Sequence, residues 1–305
     1  MAGAILSGCG ATVPTPGTIA NAPASTDSAK TGHDLLYVSN QGALDVYRFP
    51  RGKWLGTLNG ASGPRGICAD SAGDIFVPFI YIPGGIYEYA HGRGSPIADL
   101  GLEYDWPNGC SVSSKAGALA VVAGPHHGSA AVAVYHHSRK FGWAFAKGYS
   151  IPSLATSYFC GYDNSGNLFV DGLDSNQKFA LAELPNRGKT FIAIGVQGSI
   201  GAPGQVQWDG THLAIGDTGA TPSVVYQFEV SGSEATVVGS TTLDGSQTVE
   251  QFWIQGDRLV APDLKRSCAR GEAGCIALYR YPTGGVALHT RSLYNAFGAA
   301  VSLAP

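Results

Sequence analysis

Residues 64–89 read PRGICADSAGDIFVPFIYIPGGIYEY, and this stretch decides the fold of the chain. It contains three strand-like segments, at 64–70, 75–77 and 86–89, which are separated by turn residues. Gly73 lies in the first turn, where a glycine supplies the positive φ that a tight hairpin needs. The stretch therefore predicts short antiparallel strands in one small sheet.

The same segments recur in the same order with a period of about 40–50 residues, a length typical of propellers and solenoids. The apolar run occurs at 36–38, 75–77, 119–121, 168–170, 213–215 and 259–261. The run that ends in an aromatic residue or leucine occurs at 46–49, 86–89, 133–135, 181–184, 225–228 and 278–281. A less regular strand follows each copy, so each repeat carries four strands.

Four short antiparallel strands form one blade of a β-propeller. The copies therefore predict an all-β, six-bladed β-propeller of four-stranded blades over residues 33–305. The first copy lacks an inner strand of its own, because only a tether precedes it. We expect residues 297–302 to supply that strand beside 36–38, so that the C-terminal strand closes the ring and removes two free sheet edges.

The pattern P-x-G-I-x-x-D, followed by G-x-[IL]-[FY]-V and [IV]-Y-x-[FY], resembles NHL and YVTN propeller repeats and the superfamily that includes the gluconolactonases. The resemblance covers residues 35–305. It implies the fold, and it leaves two functions open. One is a binding or scaffold module without catalytic residues, and the other is a lactonase or hydrolase that depends on a Ca²⁺ ion held in the channel.

Composition excludes several classes of protein. Charged residues make up only 13% of the chain and the formal net charge is −3, which excludes a strongly basic nucleic-acid binder. No run of about 18 apolar residues is present, so no membrane-spanning helix is predicted. We expect a monomer whose partner is a small polar ligand or a protein of the cell envelope.

The N-terminal residues predict export. Leu6, Ser7, Gly8 and Cys9 match the bacterial lipobox, in which the cysteine receives lipid. Residues 1–32 are therefore interpreted as a leader and a flexible tether, and the lipid on Cys9 as the protein's contact with the membrane. The expected location is the cell envelope, as an outer-membrane lipoprotein, and otherwise the periplasm or the secreted fraction.

The other cysteines suggest one disulfide. Cys268 and Cys275 flank a polar insertion between two strands, and a disulfide there would close the loop. Cys110 and Cys160 occupy equivalent positions on adjacent inner strands, so they either form a bridge or remain two buried thiols. Cys68 is expected to be buried and unreactive.

The repeat register places a polar site at one mouth of the channel. Inner-strand starts and the ends of second strands gather at this mouth, together with their loops. The predicted ligand-binding residues are Asn40, Arg65, Asn108, Tyr158, Asp171, Asp217, Glu250 and Asp263.

Three interpretations of this mouth remain open. Asp171, Asp217, Asp263 and Glu250 would suit a divalent cation such as Ca²⁺, which prefers oxygen ligands. The same carboxylates would serve equally well to hold turns and water in a polar channel. The third interpretation is catalysis, in which a bound metal would polarise a lactone carbonyl or activate water. The pairs at 126–127 and 136–137 could bind a transition metal but are interpreted as surface histidines. At most one of residues 136 and 137 could join a site, because neighbouring strand residues point to opposite faces.

Overall fold

The computed structural model describes residues 32–305 except 59, 61–62, 81–83, 102, 114, 125–127 and 269–272. Within these residues the chain is all-β, which confirms the predicted class. No helix in the described part is long and apolar enough to cross a membrane. The leader, Cys9 and the histidine pair at 126–127 lie outside the described residues, so lipidation stays a prediction.

The strands in the described residues are β1 (Leu35–Ser39), β2 (Leu44–Arg48), β3 (Lys53–Leu58), β4 (Cys68–Ala69), β5 (Ile75–Phe79), β6 (Gly85–Tyr89), β7 (Ala98–Asp99), β8 (Pro107–Ser113), β9 (Ala118–Ala123), β10 (Ala131–Ser138), β11 (Gly142–Ser150), β12 (Thr156–Tyr162), β13 (Leu168–Leu173), β14 (Phe179–Leu184), β15 (Ile192–Gln197), β16 (Val206–Trp208), β17 (Leu213–Asp217), β18 (Val224–Ser231), β19 (Glu234–Asp244), β20 (Trp253–Gln255), β21 (Arg258–Asp263), β22 (Cys275–Arg280), β23 (Gly285–Val286), β24 (His289–Ser292) and β25 (Ala299–Ser302).

These strands form five sheets. Four sheets have four strands each, in the orders β25-β1-β2-β3, β4-β5-β6-β7, β8-β9-β10-β11 and β20-β21-β22-β24. The fifth sheet has nine strands and contains two antiparallel sets, β12–β15 and β16–β19. A short parallel pairing between β15 and β19 joins the two sets, and β23 pairs with β19.

The C-terminal strand closes the first sheet, as predicted. β25 pairs antiparallel with β1 in the register Leu36↔Val301 and Val38↔Ala299. The pairing continues past the strand ends, because Ser39 N donates to Gly298 O and Phe297 N donates to Ser39 O, both at 2.9 Å. The two ends of the described chain therefore depend on each other for their backbone hydrogen bonds.

The core of the described residues is divided into six hydrophobic clusters, each packed between consecutive sets of strands. Ile75 and Val77 pack against the first sheet, β25-β1-β2-β3. Phe76 packs on the other side, against the sheet β8-β9-β10-β11. This alternation is expected for a strand that is buried on both faces. Val260 and Val301 lie in the cluster that packs the last set against the first.

Two disulfides are present, one predicted and one not. Cys268 and Cys275 form the expected bridge, with a Cα–Cα distance of 5.7 Å. Cys68 and Cys110 form the second, with a Cα–Cα distance of 5.6 Å, so the interpretation of Cys68 as an unreactive thiol was wrong. Cys160 is a buried free thiol.

The geometry explains why Cys110 pairs with Cys68 and not with Cys160. Equivalent positions on neighbouring inner strands point in the same direction, so Cys110 and Cys160 cannot face each other. Cys110 Sγ points toward the second sheet and lies 3.6 Å from Phe76 O, while Cys160 Sγ lies 3.9 Å from Ala120 O in the third. The partner of Cys110 therefore comes from the preceding inner strand.

Replacing Cys68 and Cys110 together by alanine is expected to lower the free energy of unfolding by about 4 kcal/mol, because the bridge closes a long loop. Its two cysteines are 42 residues apart in the sequence. Urea unfolding of the double variant under oxidising conditions measures this loss. Removing only the bridge between Cys268 and Cys275, which are 7 residues apart, should cost less. Equal losses would contradict the loop-length argument.

Candidate functional site

Two adjoining cavities, of about 280 and 230 Å³, lie where the inner strands begin. They share Arg65 and Glu250, so they form one depression. We call it the mouth cup and define it by its functional residues, Arg65, Trp106, Asn108, Tyr158, Glu250 and Phe297. The repeat register predicted that residues at the starts of the inner strands, such as Arg65, Asn108 and Glu250, lie together at one mouth of the channel.

Arg65 and Glu250 place opposite charges in the mouth cup without forming an ion pair. The Arg65 guanidinium lies 4.9 Å from the centroid of the Phe297 ring. Burial raises the pKa of Glu250, although the positive charges of Arg65 and Lys265 act in the opposite direction. Among the described residues, the ion pairs are those of His212 with Asp209 and of Arg258 with Asp257.

The floor beneath the mouth cup is a network of side-chain amides. Gln251 is fully buried, and its Oε1 accepts hydrogen bonds from Ile67 N at 3.1 Å and Ala299 N at 3.0 Å. Its Nε2 donates to Ile67 O and to Gln205 Oε1, both at 3.1 Å. A side chain at Gly66 would meet Gln251 and the backbone of the third sheet. The network therefore joins Gln251 to residues of three other sets of strands.

The rim of the mouth cup contains unusual backbone conformations. Trp106 has φ 58° and Asn295, which also lines the cup, has φ 49°. Asparagine tolerates this left-handed region, but a bulky residue such as tryptophan is an outlier there. Gly124 N donates to Trp106 O at 2.7 Å, and a Cβ at Gly124 would lie 2.6 Å from that oxygen. Such outliers persist where surrounding contacts fix them, and they cluster at functional sites.

Three of the predicted carboxylates have a different use. Asp171, Asp217 and Asp263 accept backbone N–H bonds and line neither cavity. Asp171 is fully buried, and its oxygens accept from Phe159 N at 2.8 Å and Gly204 N at 3.1 Å. Its pKa lies well above the usual range because burial outweighs these hydrogen bonds.

Asp217 and Asp263 each organise the loop before the inner strand of their own set. Asp217 accepts from Gly201 N, Ala202 N and Gly219 N. Asp263 accepts hydrogen bonds from the backbone N–H groups of residues 247, 248, 265 and 266. The aspartate that recurs at or near the end of the second strand thus fixes nearby backbone by accepting N–H hydrogen bonds.

Asn40 and Asn108 differ in what they can offer a ligand. Asn40 lines the cup, but its Oδ1 accepts from Gly42 N and Ala43 N, and its Nδ2 donates to Asp45. Asn108 Nδ2 donates to the Tyr158 carbonyl at 3.0 Å, so a ligand could still use its Oδ1 as an acceptor and its second N–H as a donor. Asn40 therefore holds its own turn with the same polar atoms, while its role in ligand binding stays a prediction.

The predicted Ca²⁺ site does not assemble. Asp171, Asp217 and Asp263 are occupied by backbone donors, and Glu250 lies apart from them in the mouth cup. In the described part of the chain, no three His, Cys, Asp or Glu side chains are grouped as a metal ion requires. A cluster of Ca²⁺ ligands has to lie about 2.3–2.6 Å from one point.

Comparisons with known proteins identify the fold. No protein-family model and no curated protein matches the chain. A solved nidogen/laminin complex is similar at 13% identity, with a TM-score of 0.68, over 89% of this chain and 99% of the matched chain. Proteins of unknown function are similar too. The Bacteroides caccae protein has 10% identity and a TM-score of 0.62, covering 88% of this chain and 99% of that chain. Such identities show the fold alone, which is a β-propeller.

Glu250→Gln is expected to stabilise the fold at neutral pH. Because burial raises the pKa of Glu250, the folded state holds its proton more tightly than the unfolded state does. Stability that depends on this group is therefore lost as pH rises from the ordinary glutamate pKa through the raised value. The variant should melt higher than wild type at pH 8 and equally at pH 4. The same change at the exposed Glu229 serves as control, and an identical shift there would contradict the argument.

Proposed function

We propose that this protein is an exported binding module, a six-bladed propeller of the NHL and YVTN type whose ligand site is the mouth cup. The division of the core into six clusters supports six blades, with β12–β15 and β16–β19 as two blades joined at their outer edges. Two disulfides are compatible with an oxidising compartment. A lipid anchor at Cys9 would hold the module at the cell envelope.

The observation that carries this proposal is the unpaired charge in the mouth cup. Arg65 and Glu250 line the same depression, and neither has an ion-pair partner among the described residues. Desolvated, unpaired charges lower stability, so a fold gains from them chiefly when a ligand completes the pairing. Buried polar groups that converge in one depression are also what a specific ligand site needs.

The same residues indicate what the ligand offers. Arg65 would bind a carboxylate or another acceptor, and Glu250 would accept hydrogen bonds from an ammonium or hydroxyl group. Phe297 and Trp106 supply aromatic surface beside these charges. The volume suits a molecule of the size of an amino acid or a monosaccharide, so we infer a small polar ligand with both donor and acceptor groups.

A thermal-shift screen of amino acids, sugars and lactones, with CaCl₂ included, tests this function. A compound present at about 100 times its Kd should stabilise wild type by about 2.7 kcal/mol. The shift should vanish in Arg65→Gln and Glu250→Gln and persist in Glu229→Gln. A compound that stabilises all variants equally, or a screen in which nothing stabilises wild type, would count against the mouth cup as the site.

A further inference from the structure

A separate cavity, of about 290 Å³, lies between the third sheet and the set β12–β15, at the end of the strands away from the mouth cup. β8 runs from Pro107, at the cup, to Ser113, and the turn after it carries Lys115. Lys115, His136 and Arg187 all line this cavity. We call it the lower cavity. It shares no residue with the mouth cup.

Positive charge in the lower cavity is not compensated by the chain. Within the described residues neither Lys115 nor Arg187 forms an ion pair. Asp163 lies in the adjacent turn, but its oxygens accept from Ser165 N, Asn167 N and Asn167 Nδ2, each at 2.8 Å. That carboxylate is committed to its own turn, so the two cations are left to attract an anion from solution.

Arg187 is held in place by an unusual turn. Its φ is 63°, in the left-handed region, and Gly188 N donates to Pro185 O at 2.6 Å across the turn. Asn186 fixes the turn to the neighbouring hairpin, because its Nδ2 donates to Ser165 O at 2.7 Å. The turn therefore fixes where the Arg187 side chain leaves the backbone, and from there the exposed side chain lines the cavity.

Aromatic and apolar groups form the rest of the lower cavity. The Tyr149 ring lies edge-on to Phe191, with 6.1 Å between centroids, and Lys147 Nζ lies 4.4 Å from the Tyr149 centroid. Burial raises the pKa of Tyr162, which keeps its hydroxyl protonated. The Tyr162 side chain lines the cavity. The lining therefore offers a donor and apolar surface beside the charges.

The neighbouring residues His136 and His137 have different surroundings. His136 lines the lower cavity, with Nδ1 3.2 Å from Gly117 O. His137 lies on the opposite face of β10, where its ring packs edge-on against Trp143 at 5.2 Å. His136 thus adds a polar edge to the cavity, while His137 contributes to packing outside it.

We propose that the lower cavity is a second ligand site, which binds a small organic anion through Lys115 and Arg187 and packs its apolar body against Tyr149. An anion alone would satisfy the charges and leave the aromatic surface uncovered. A neutral aromatic molecule would cover that surface and leave the charges unpaired. The site therefore selects a phosphate or carboxylate that is attached to a compact apolar group.

Isothermal titration calorimetry of the full chain with phenyl phosphate, benzoate, inorganic phosphate and benzyl alcohol tests this site. Phenyl phosphate and benzoate should bind more tightly than inorganic phosphate, and benzyl alcohol should not bind. Lys115→Gln should weaken phenyl phosphate binding about tenfold, as expected for one lost charge-assisted contact. A difference between phenyl phosphate and benzoate identifies which anion the site prefers.

Arg187→Gly separates binding from folding, because glycine adopts a positive φ without strain. This variant should melt no lower than wild type and should bind phenyl phosphate at least about tenfold more weakly. Lys178→Gln changes an exposed lysine outside the lower cavity, so this variant should bind phenyl phosphate as wild type does. Equal affinity of wild type, Arg187→Gly and Lys115→Gln, or no binding of either organic anion at millimolar concentration, would overturn the proposal.

Discussion

Deletion of residues 297–305 is expected to abolish cooperative folding. The deletion removes β25, in which every residue is buried, and leaves the edge of β1 without its partner. It also removes Val301 from the cluster that packs the last set of strands against the first. We expect a loss of more than about 5 kcal/mol, which is comparable with the whole stability of an ordinary domain.

Differential scanning calorimetry measures this loss as the disappearance of a single sharp transition. Deletion of residues 304–305 is the control, because it removes one described hydrogen bond, from Ala304 N to Asp34 Oδ1. A synthetic peptide of residues 296–305 should restore the transition. A truncated chain that melts cooperatively near the wild-type temperature would show that β25 does not hold the ring closed.

Gln251→Leu is expected to destabilise the fold by about 6 kcal/mol. The substitution leaves the N–H and C=O of Ile67, the N–H of Ala299 and the Oε1 of Gln205 without their partner. Each buried polar group that loses its partner costs about 1–3 kcal/mol, and water has little access to a residue with no exposed surface. The effect is large because one amide connects three sets of strands at the axis.

Urea denaturation of Gln251→Leu beside Gln247→Leu gives the comparison. The side chain of Gln247 is exposed, so the same change there should alter the free energy of unfolding by less than about 0.5 kcal/mol. Gln251→Glu should also be destabilised, since a buried carboxylate cannot donate to Ile67 O. Wild-type stability in both Gln251 variants would mean that the amide network does not hold the inner strands together.

The closing strand was predictable because a repeat carries its own register. The six copies of the apolar run fixed where each inner strand had to lie, and the first copy lacked one. Residues 297–302 were left to fill that place, and β25 does so in the expected register with Val38. The same register predicts that Arg65 and Glu250 lie at one mouth, and both residues line the mouth cup.

The hydrogen-bond partners of the predicted carboxylates could not be read from the sequence, because register gives position and not direction. Asp171, Asp217 and Asp263 do lie near the predicted ends of second strands, but local backbone N–H groups bind their oxygens first. A short aspartate side chain reaches a neighbouring turn more easily than a distant point on the axis. The repetition of aspartate at this position was itself a sign of a structural role.

Gln205 and Gln251 were missed, although the sequence contained a signal. Both follow directly on mouth positions and precede the inner strands β16 and β20, and a buried polar residue needs a partner. That the partner is the other glutamine, together with the backbone at Ile67, depends on distances across the axis. Spacing along the chain does not contain those distances.

Isothermal titration calorimetry of the strongest stabiliser from the screen tests the central claim most directly, which is that Arg65 and Glu250 together bind a small ligand in the mouth cup. The account predicts one ligand bound per wild-type chain and no measurable heat with the folded double variant Arg65→Gln, Glu250→Gln. A double variant that binds the compound with wild-type affinity would contradict it.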